Sequence, residues 1–539
     1  MRVPTPSLLS LPPAALSWSA ASSLAAAISY ADRSTSAIAA SSLLEELKWT
    51  EGQLGEVQSA FFLGYGLTQV AGGLIAGRTD GQGSKVGLEM TEGVSVEDGL
   101  NNSLLGEVEV AADGVKGGRS TEGFRTVLPL SLFLTAMATL LFPVAATGGP
   151  GWAAANRFCL GLAEGLLLPA AMAGVASSVD ALKESGGETA QADVKATASS
   201  LVIAGCYFGS AWAYFSAWFL YSEAFQLQLR GMGYGGSVWP LVFYVNGIGS
   251  IGCLLLFRKE FALDLSPYWN TDQNSEAEVR SNVWTETVNV ARETVSSQSG
   301  RAILAAQIGQ GALLYSIASY GPLYLEAAGA ATVSATTNTI GRRINPSISV
   351  TASTASNAAS LLILPQLTQA AVGLGIGAIA DRLSDRIGTK LTRRALQFVG
   401  GVGPAIVLLY LTSTTHLSET GLLSPPALFG AAQTLSALSL GAVSVSHLDV
   451  AAPSRAGAVY ALGNVAAAAS GSFAVNLCGR LLESSASPRG GPAAADFAVP
   501  FAVVAFLSVA GSVVYGATIE TDVVVGVKTP GEQIKRKNR

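Results

Sequence analysis

The chain has 539 residues, of which 49% are hydrophobic and only 13% are charged, with a formal net charge of −5. Soluble domains carry roughly 25% charged residues. The composition and the mean hydropathy of +0.41 therefore exclude a disordered chain and argue against a soluble multidomain enzyme. The 60 glycines suit closely packed membrane helices, so we expect an all-α, polytopic membrane protein.

Apolar runs long enough to cross a bilayer recur along the chain and predict about twelve membrane-spanning helices. In the first half they cover residues 14–44, 55–76, 124–146, 152–175, 196–220 and 239–257. In the second half they cover residues 302–325, 358–380, 395–411, 426–445, 456–482 and 497–517. Two pseudo-symmetric groups of six spans, with a binding site between them, form a known transporter architecture.

An internal repeat supports this division. Gly73-Leu-Ile-Ala-Gly-Arg78 follows span two, and Gly377-Ala-Ile-Ala-Asp-Arg382 follows span eight. Residues 79–123 form an acidic, glycine-rich loop whose composition is typical of disorder. We predict, in order, a six-helix half at 1–257, a cytoplasmic linker at 258–300, a second six-helix half at 301–517 and a basic tail at 518–539.

The first span contains two adjacent charged residues, Asp32 and Arg33. Charged side chains are costly in hydrocarbon, so they generally face a bundle interior or an aqueous cavity. Arginine stays charged and offers a planar fork of donors to a carboxylate or phosphate. Arg33 is therefore chemically suited to bind an anion; the alternative for the pair is a wetted position at a helix end.

The fourth span carries Arg157 and Glu164 in an otherwise apolar run. Two helical turns separate them, so they share one face about 10 Å apart along the axis. Gly161 lies between them and leaves room for a ligand or a neighbouring helix. The arrangement predicts an anion or proton site in a transport pathway; the structural alternative is a buried ion pair that only orients helices.

Lysine and arginine are unevenly distributed between the two sides of the predicted topology. With the N-terminus in the cytoplasm, most basic residues lie on that side. The opposite side has only Lys48, Arg230, Arg342, Arg343, Arg480 and Arg489. This bias predicts that both termini are cytoplasmic; whether the membrane is a plastid envelope, a plasma membrane or a vesicle stays open.

Several sequence blocks resemble those of one family. In the first half they are Tyr30-Ala-Asp-Arg-Ser34, residues 57–73, Arg157-Phe-Cys-Leu-Gly-Leu-Ala-Glu-Gly165 with Pro169, and Trp239-Pro-Leu-Val-Phe-Tyr244. In the second half they are Thr392-Arg-Arg-Ala-Leu-Gln397 with Gly403-Pro404, and His447-Leu-Asp-Val450 with Gly463-Asn464. Together they resemble the major facilitator superfamily, and within it the anion:cation symporters (solute carrier family 17 and the plant plastid phosphate-type anion transporters).

The resemblance implies roles for matching residues. In similar transporters the arginine that matches Arg33 binds the substrate anion. The carboxylates that match Asp32 and Glu164 bind the coupled proton in bacterial sugar-acid relatives, and Arg157 supports that site as a further substrate-binding candidate. A carboxyl group in a low-dielectric setting favours its neutral form, which suits proton binding.

Other polar residues are candidates for lining or controlling a cavity. Tyr65, Gln69 and Asn464 are candidate substrate-binding side chains, although small polar residues on membrane helices often bond a neighbouring helix instead. His447 and Asp449 end span ten, where they form either a polar cluster that fixes the turn or, as the minority interpretation, a coupling site.

The chain also departs from the family pattern. The superfamily usually has aspartate before the arginine in its first loop motif, and this chain has glycine before Arg78. Asp381 and Arg382 keep the pair in the second half, so we expect a gating charge pair there. Vesicular glutamate-type relatives have histidine at Gln58 and arginine at Gln310, which favours phosphate or another organic anion over glutamate here.

We therefore predict a secondary active transporter that moves an inorganic or organic anion by alternating access, as a monomer in a lipid bilayer, coupled to H⁺ or Na⁺. We expect no cofactor, no metal, no nucleic-acid partner and no enzymatic activity, since the spans carry no nucleophile–base pair, metal-ligand spacing or nucleotide loop. The alternative is a non-transporting receptor or sensor on the same scaffold, in which the intramembrane charges would be dispensable for uptake.

The topology prediction is tested with epitope tags at Gly99 and Asn274. Because the basic residues place 79–123 and 258–300 together, protease should cleave both tags from the same side of the membrane as the termini. Tags that report opposite sides would mean that the number of spans is wrong.

Overall fold

The computed structural model describes residues 13–76, 124–171, 188–256, 285, 288–340, 350–413, 424–451, 453–485, 492–522 and 525. Nearly all of these residues are helical, and the β-bridge found among them joins Ala451 to Val525. The all-α fold expected from the composition is confirmed. The predicted loop 79–123 lies outside the described residues, as do most of the predicted linker and tail.

Each predicted span overlaps a helix among the described residues, and spans four and ten are interrupted within their length. The first six spans are α1 (Pro13–Ile38) with its short continuation α2 (Ala40–Glu46), α3 (Glu51–Ala76), α4 (Phe124–Thr147), α5 (Pro150–Glu164), α6 (Glu188–Leu220) and, after the short α7 (Glu223–Gly231), α8 (Trp239–Leu256). The last six are α9 (Gln298–Ile340), α10 (Val350–Ile387), α11 (Thr389–Ser413), α12 (Pro425–Ser436) with the short α13 (Ser446–Val450), α14 (Pro453–Ser485) and α15 (Ala498–Thr518). By length and composition, 8 helical segments of the described chain are apolar enough to cross a membrane.

The fourth span is not one continuous helix. α5 ends at Glu164, two turn residues follow, and helix resumes over 167–171. Pro169 lacks the backbone N–H that would otherwise bond to the carbonyl of Gly165, so the helix loosens at this point. The break leaves Glu164 at the end of α5.

Close packing of α3 against α5 explains the glycine between the two charges of span four. A Cβ on Gly161 would lie 2.1 Å from the carbonyl oxygen of Phe61, and a Cβ on Gly64 would lie 2.2 Å from that of Phe158. Glycine lets membrane helices approach to backbone contact. Of the two expected uses of Gly161, the structure supports room for a neighbouring helix, and the contact brings the Phe61 ring to 5.0 Å from the Arg157 guanidinium.

One end of the bundle has an apolar core that both groups of spans share. The largest buried cluster includes Leu43 and Leu54 from the first six spans and Phe429 from the last six. A hydrogen bond from the Ser472 hydroxyl on α14 to the Ser59 carbonyl oxygen on α3, 3.0 Å long, joins the two halves. The two halves are therefore closed against each other at this end.

The other end of the bundle is divided. One buried cluster contains first-half residues such as Leu128 and Cys253, and another contains second-half residues such as Ile303 and Tyr515. Among the described residues, no apolar cluster joins the halves here. Within the described residues, the clusters of the two halves are therefore separate at the end where α1 begins and α15 ends.

The glycine contact is tested by Gly161→Ala with Gly252→Ala as its matched control. The added methyl group at Gly161 would overlap the Phe61 carbonyl, whereas a Cβ on Gly252 meets nothing within 4 Å. We expect Gly161→Ala to cost about 1–3 kcal/mol, the usual penalty of overpacking. Thermal unfolding of both purified variants measures it, and an unfolding temperature for Gly161→Ala at or above that of Gly252→Ala would contradict the packing.

Candidate functional site

An ion pair between two spans lies at the centre of the first half. The Nε of Arg33 on α1 donates to Oε2 of Glu164 at the end of α5, with 2.7 Å between the two atoms. The Ser29 hydroxyl donates to the same oxygen, also at 2.7 Å. The Glu164 side chain is fully buried, and that of Arg33 is 12% exposed. Arg33 and Glu164, which lie on separate spans in the sequence, are thus in contact. The Arg33 side chain remains slightly exposed.

Aromatic rings enclose the guanidinium of Arg33. Its central carbon lies 4.3 Å from the ring centroid of Tyr30, 4.3 Å from that of Tyr65 and 5.0 Å from that of Phe61. An arginine over aromatic faces is attracted by the ring quadrupoles, most strongly where water is excluded. The rings therefore help to hold a cation that the surrounding apolar helices would otherwise disfavour.

The ion pair leaves polar atoms on both partners available. Nη2 of Arg33 and Oε1 of Glu164 are buried and have no hydrogen-bond partner among the described residues. Buried polar atoms are nearly always hydrogen-bonded, so such atoms in a native site call for an explanation. A guanidinium with a free donor beside a carboxylate with a free acceptor can bind an anion at the first and a proton at the second.

The other two charges of the site lie beside this pair. Arg157 is buried on α5, where its Nη1 points to the backbone oxygen of Asp32 at 3.4 Å and its guanidinium lies 5.0 Å from the Phe61 ring centroid. The Asp32 side chain is also buried, and neither of its carboxylate oxygens has a hydrogen-bond partner among the described residues. Arg157 and Glu164 share a helix face as expected, but Glu164 takes its ion pair from α1.

The three predicted cavity-lining residues lie on two helices from different halves. Tyr65 faces Arg33 from α3. One turn further along α3, Oε1 of Gln69 accepts a hydrogen bond from Nδ2 of Asn464 on α14, at 3.5 Å. Nε2 of Gln69 has no partner within the described part of the chain. The structure thus brings these residues together on one side of the ion pair, at the junction of the two halves.

The predicted gating residues are not brought to this site. Arg78 lies outside the described residues, and Asp381 and Arg382 are exposed near the end of α10. Asp449 instead forms an ion pair with Arg393, whose Nε lies 2.8 Å from Oδ2. His447 packs against the ring of Tyr460, with 4.9 Å between the ring centroids. Both arrangements fit residues that fix the turn after span ten.

Sequence reasoning missed several residues of the site. Ser29 and Tyr30 precede Arg33 by one helical turn, so they share its face, and Phe61 precedes Tyr65 by one turn on α3. This spacing around a buried arginine is a signal that could have identified them. Arg393 was missed because its partner, Asp449, lies on another helix.

Among the described residues, no group of three or more His, Cys, Asp and Glu is arranged to hold a metal ion.

Comparisons with curated proteins find distant relatives across most of the chain. "Probable anion transporter 1, chloroplastic" of Oryza sativa subsp. japonica is 24% identical over 461 residues, which cover 84% of this chain and 68% of the relative. "Putative inorganic phosphate cotransporter" of Drosophila melanogaster is 23% identical over 482 residues, which cover 86% of this chain and 71% of the relative.

Solved structures with the same fold are membrane transporters. A D-xylose-proton symporter superposes with a TM-score of 0.53 at 15% identity, covering 94% of this chain and 98% of that one. A bacterial homologue of the human lysosomal transporter Spinster, inward-facing and occupied, gives a TM-score of 0.56 at 14% identity, covering 93% and 95%. The model of the Major Facilitator Superfamily matches residues 118–475. This multi-pass membrane protein therefore belongs to the Major Facilitator Superfamily.

Proposed function

We propose that this protein is a secondary active transporter that moves an anion by alternating access and couples its movement to a proton. One observation carries the proposal: Arg33, whose side chain keeps an exposure of 12%, is paired with the fully buried carboxylate of Glu164. The names of the curated relatives, which refer to anions and to inorganic phosphate, agree with an anion as cargo.

Exchange of partners at Arg33 supplies the coupling. An incoming anion competes with Glu164 for the guanidinium, whose Nη2 offers a donor that no other described residue uses. Once Arg33 turns to the anion, Glu164 is a buried carboxylate without its countercharge, which costs about 3–5 kcal/mol for a broken buried pair. A proton on Glu164 removes that cost. Anion and proton therefore bind with positive and reciprocal coupling.

A proton suits this site better than a sodium ion. The two positive charges of Arg33 and Arg157 balance those of Asp32 and Glu164, and Oε1 of Glu164 is a buried acceptor with no partner among the described residues, so it can take a proton directly. A proton adds no separate ion, because it neutralises a carboxylate in place. Ser29, which donates to Oε2 of Glu164, would remain as a hydrogen-bond partner for the neutral carboxyl group.

The packing of the halves supports alternating access. At one end the two halves share an apolar core. At the other end, within the described residues, each half has its own apolar cluster. The Gln69–Asn464 contact joins α3 to α14 beside the site. Rocking of the halves about this region would close the open end and expose Arg33 to the opposite side.

The coupling is tested by Glu164→Gln, with Glu223→Gln on the exposed part of α7 as the matched control. The amide imitates the protonated carboxyl group, so Glu164→Gln should lose nearly all uptake driven by a pH gradient and keep counterflow exchange within about threefold. The physical reason is that the variant can still release Arg33 to the anion but cannot bind or release a proton.

Both activities are measured in the same proteoliposomes with a panel of labelled anions that includes inorganic phosphate. Concentrative uptake by Glu164→Gln under a pH gradient alone would contradict proton coupling at this residue. Uptake that persists when Arg33 and Glu164 are both replaced would contradict the transport site. A protein that binds anions but moves none would be the receptor on a transporter scaffold.

A further inference from the structure

A further carboxylate is buried where the two halves meet. Glu326 lies on α9, directly after Leu325, which belongs to the apolar core that both halves share at the closed end of the bundle. The Glu326 side chain faces Ser41 on α2 and lies near Tyr221, just after α6. Because α2 and α6 belong to the first half and α9 to the second, the burial of Glu326 depends on contact across the halves.

The groups that face Glu326 offer it no positive charge. Glu45 on α2 acts on it as a like charge, and Tyr221 offers a neutral hydroxyl group, 3.3 Å from that of Ser42. Lys48 is exposed and lies near Glu45. None of the ion pairs in the described part of the chain includes Glu326. A buried carboxyl group in such surroundings favours its neutral form.

Glu326 differs in this respect from the other described carboxylates at the same end. They are exposed or half-buried, so they can titrate whether the end is closed or open: Glu45, Glu46, Glu51, Glu56, Glu223, Glu483 and Asp496. For Glu326 alone among them, the affinity for a proton depends on whether the two halves are in contact.

We propose that Glu326 is a proton-binding switch of the closed end: the carboxyl group holds a proton while the halves are joined there and loses it to the solution on that side when they part. The proposal rests on the rocking of the halves proposed above. Separation would withdraw α2 from α9 and let water reach Glu326, which stabilises the charged form. Because the closed form binds the proton more tightly, a low pH on that side holds the end shut and a high pH favours its opening.

The proton on Glu326 has a different role from the proton on Glu164. It enters and leaves on the same side of the membrane, so it is not transported and supplies no driving force. A proton of this kind changes the populations of the closed and open forms, and with them the rate of transport. A coupled proton instead sets the level to which the substrate accumulates.

The switch is tested by the distance between spin labels on the two halves, measured by pulsed electron spin resonance in proteoliposomes. Thr147→Cys at the end of α4 and Ser484→Cys on α14 give exposed label sites at the closed end. Cys159→Ser removes the exposed native cysteine. All labelled proteins also carry Glu164→Gln, so that titration of the coupling carboxylate does not contribute.

The population with the longer label distance should grow as the pH rises. With Glu326 present, the ratio of open to closed molecules should increase at least about fivefold between about pH 5 and about pH 8, within the limit of about tenfold per pH unit for one proton. Glu326→Gln, whose amide imitates the neutral carboxyl group, should keep the low-pH ratio throughout. The exposed-site control Glu223→Gln should retain the pH dependence.

Two results would overturn the switch and leave coupling at Glu164 standing. One is a pH dependence that persists in Glu326→Gln, and the other is a ratio that does not change with pH when Glu326 is present.

A second measurement separates this role from that of a coupling residue. With Glu164 intact, Glu326→Gln should accumulate labelled anion under a pH gradient to the same steady-state level as the parent protein. Loss of accumulation by a Glu326→Gln protein that still exchanges anion would place the coupled proton on Glu326 and refute the proposal. Absence of uptake by the parent protein as well would refute the proposed transport itself.

Discussion

The Arg33–Glu164 ion pair constrains the rest of the structure. Two opposite charges, one fully buried and one nearly so, are stable among apolar helices only while each has a partner. The pair therefore holds α1 and the end of α5 in register, and the Ser29 hydroxyl adds a second hydrogen bond to Oε2 of the carboxylate. For the same reason the site can respond to a ligand. An anion that binds Arg33 leaves the Glu164 carboxylate without its countercharge, and the carboxylate then favours its protonated form.

Packing contacts between uncharged residues position the helices that carry the ion pair. Gly161 lets α3 approach α5 to backbone contact, and this approach sets Phe61 between the charged residues of two spans. The loosened helix after Glu164, where Pro169 withholds a backbone donor, places that carboxylate at a helix end. Gly161 and Pro169 thus set the positions of the charged side chains, and the aromatic rings of α1 and α3 limit the access of other groups to the arginines.

The sequence was sufficient to predict the all-α architecture and the four intramembrane charges, because apolar length and the cost of charge in hydrocarbon are local properties. Their pairing was not predictable in the same way. Arg157 and Glu164 share a face of one helix, yet Glu164 pairs with Arg33, since the rotation of α1 against α5 depends on packing across helices. Likewise, Arg393 and Asp449 lie on different spans, and nothing local to either residue indicates the other.

The central claim is that an anion and Glu164 compete for Arg33, and the most direct test is the count of protons taken up when an anion binds. An anion whose binding depends on Arg33 is added to the purified protein in weakly buffered detergent solution, and a pH indicator reports the change. The account predicts uptake of about one proton per bound anion in the parent protein and almost none in Glu164→Gln, in keeping with reciprocal coupling. Anion binding without proton uptake by the parent protein, or equal uptake by both proteins, would contradict it.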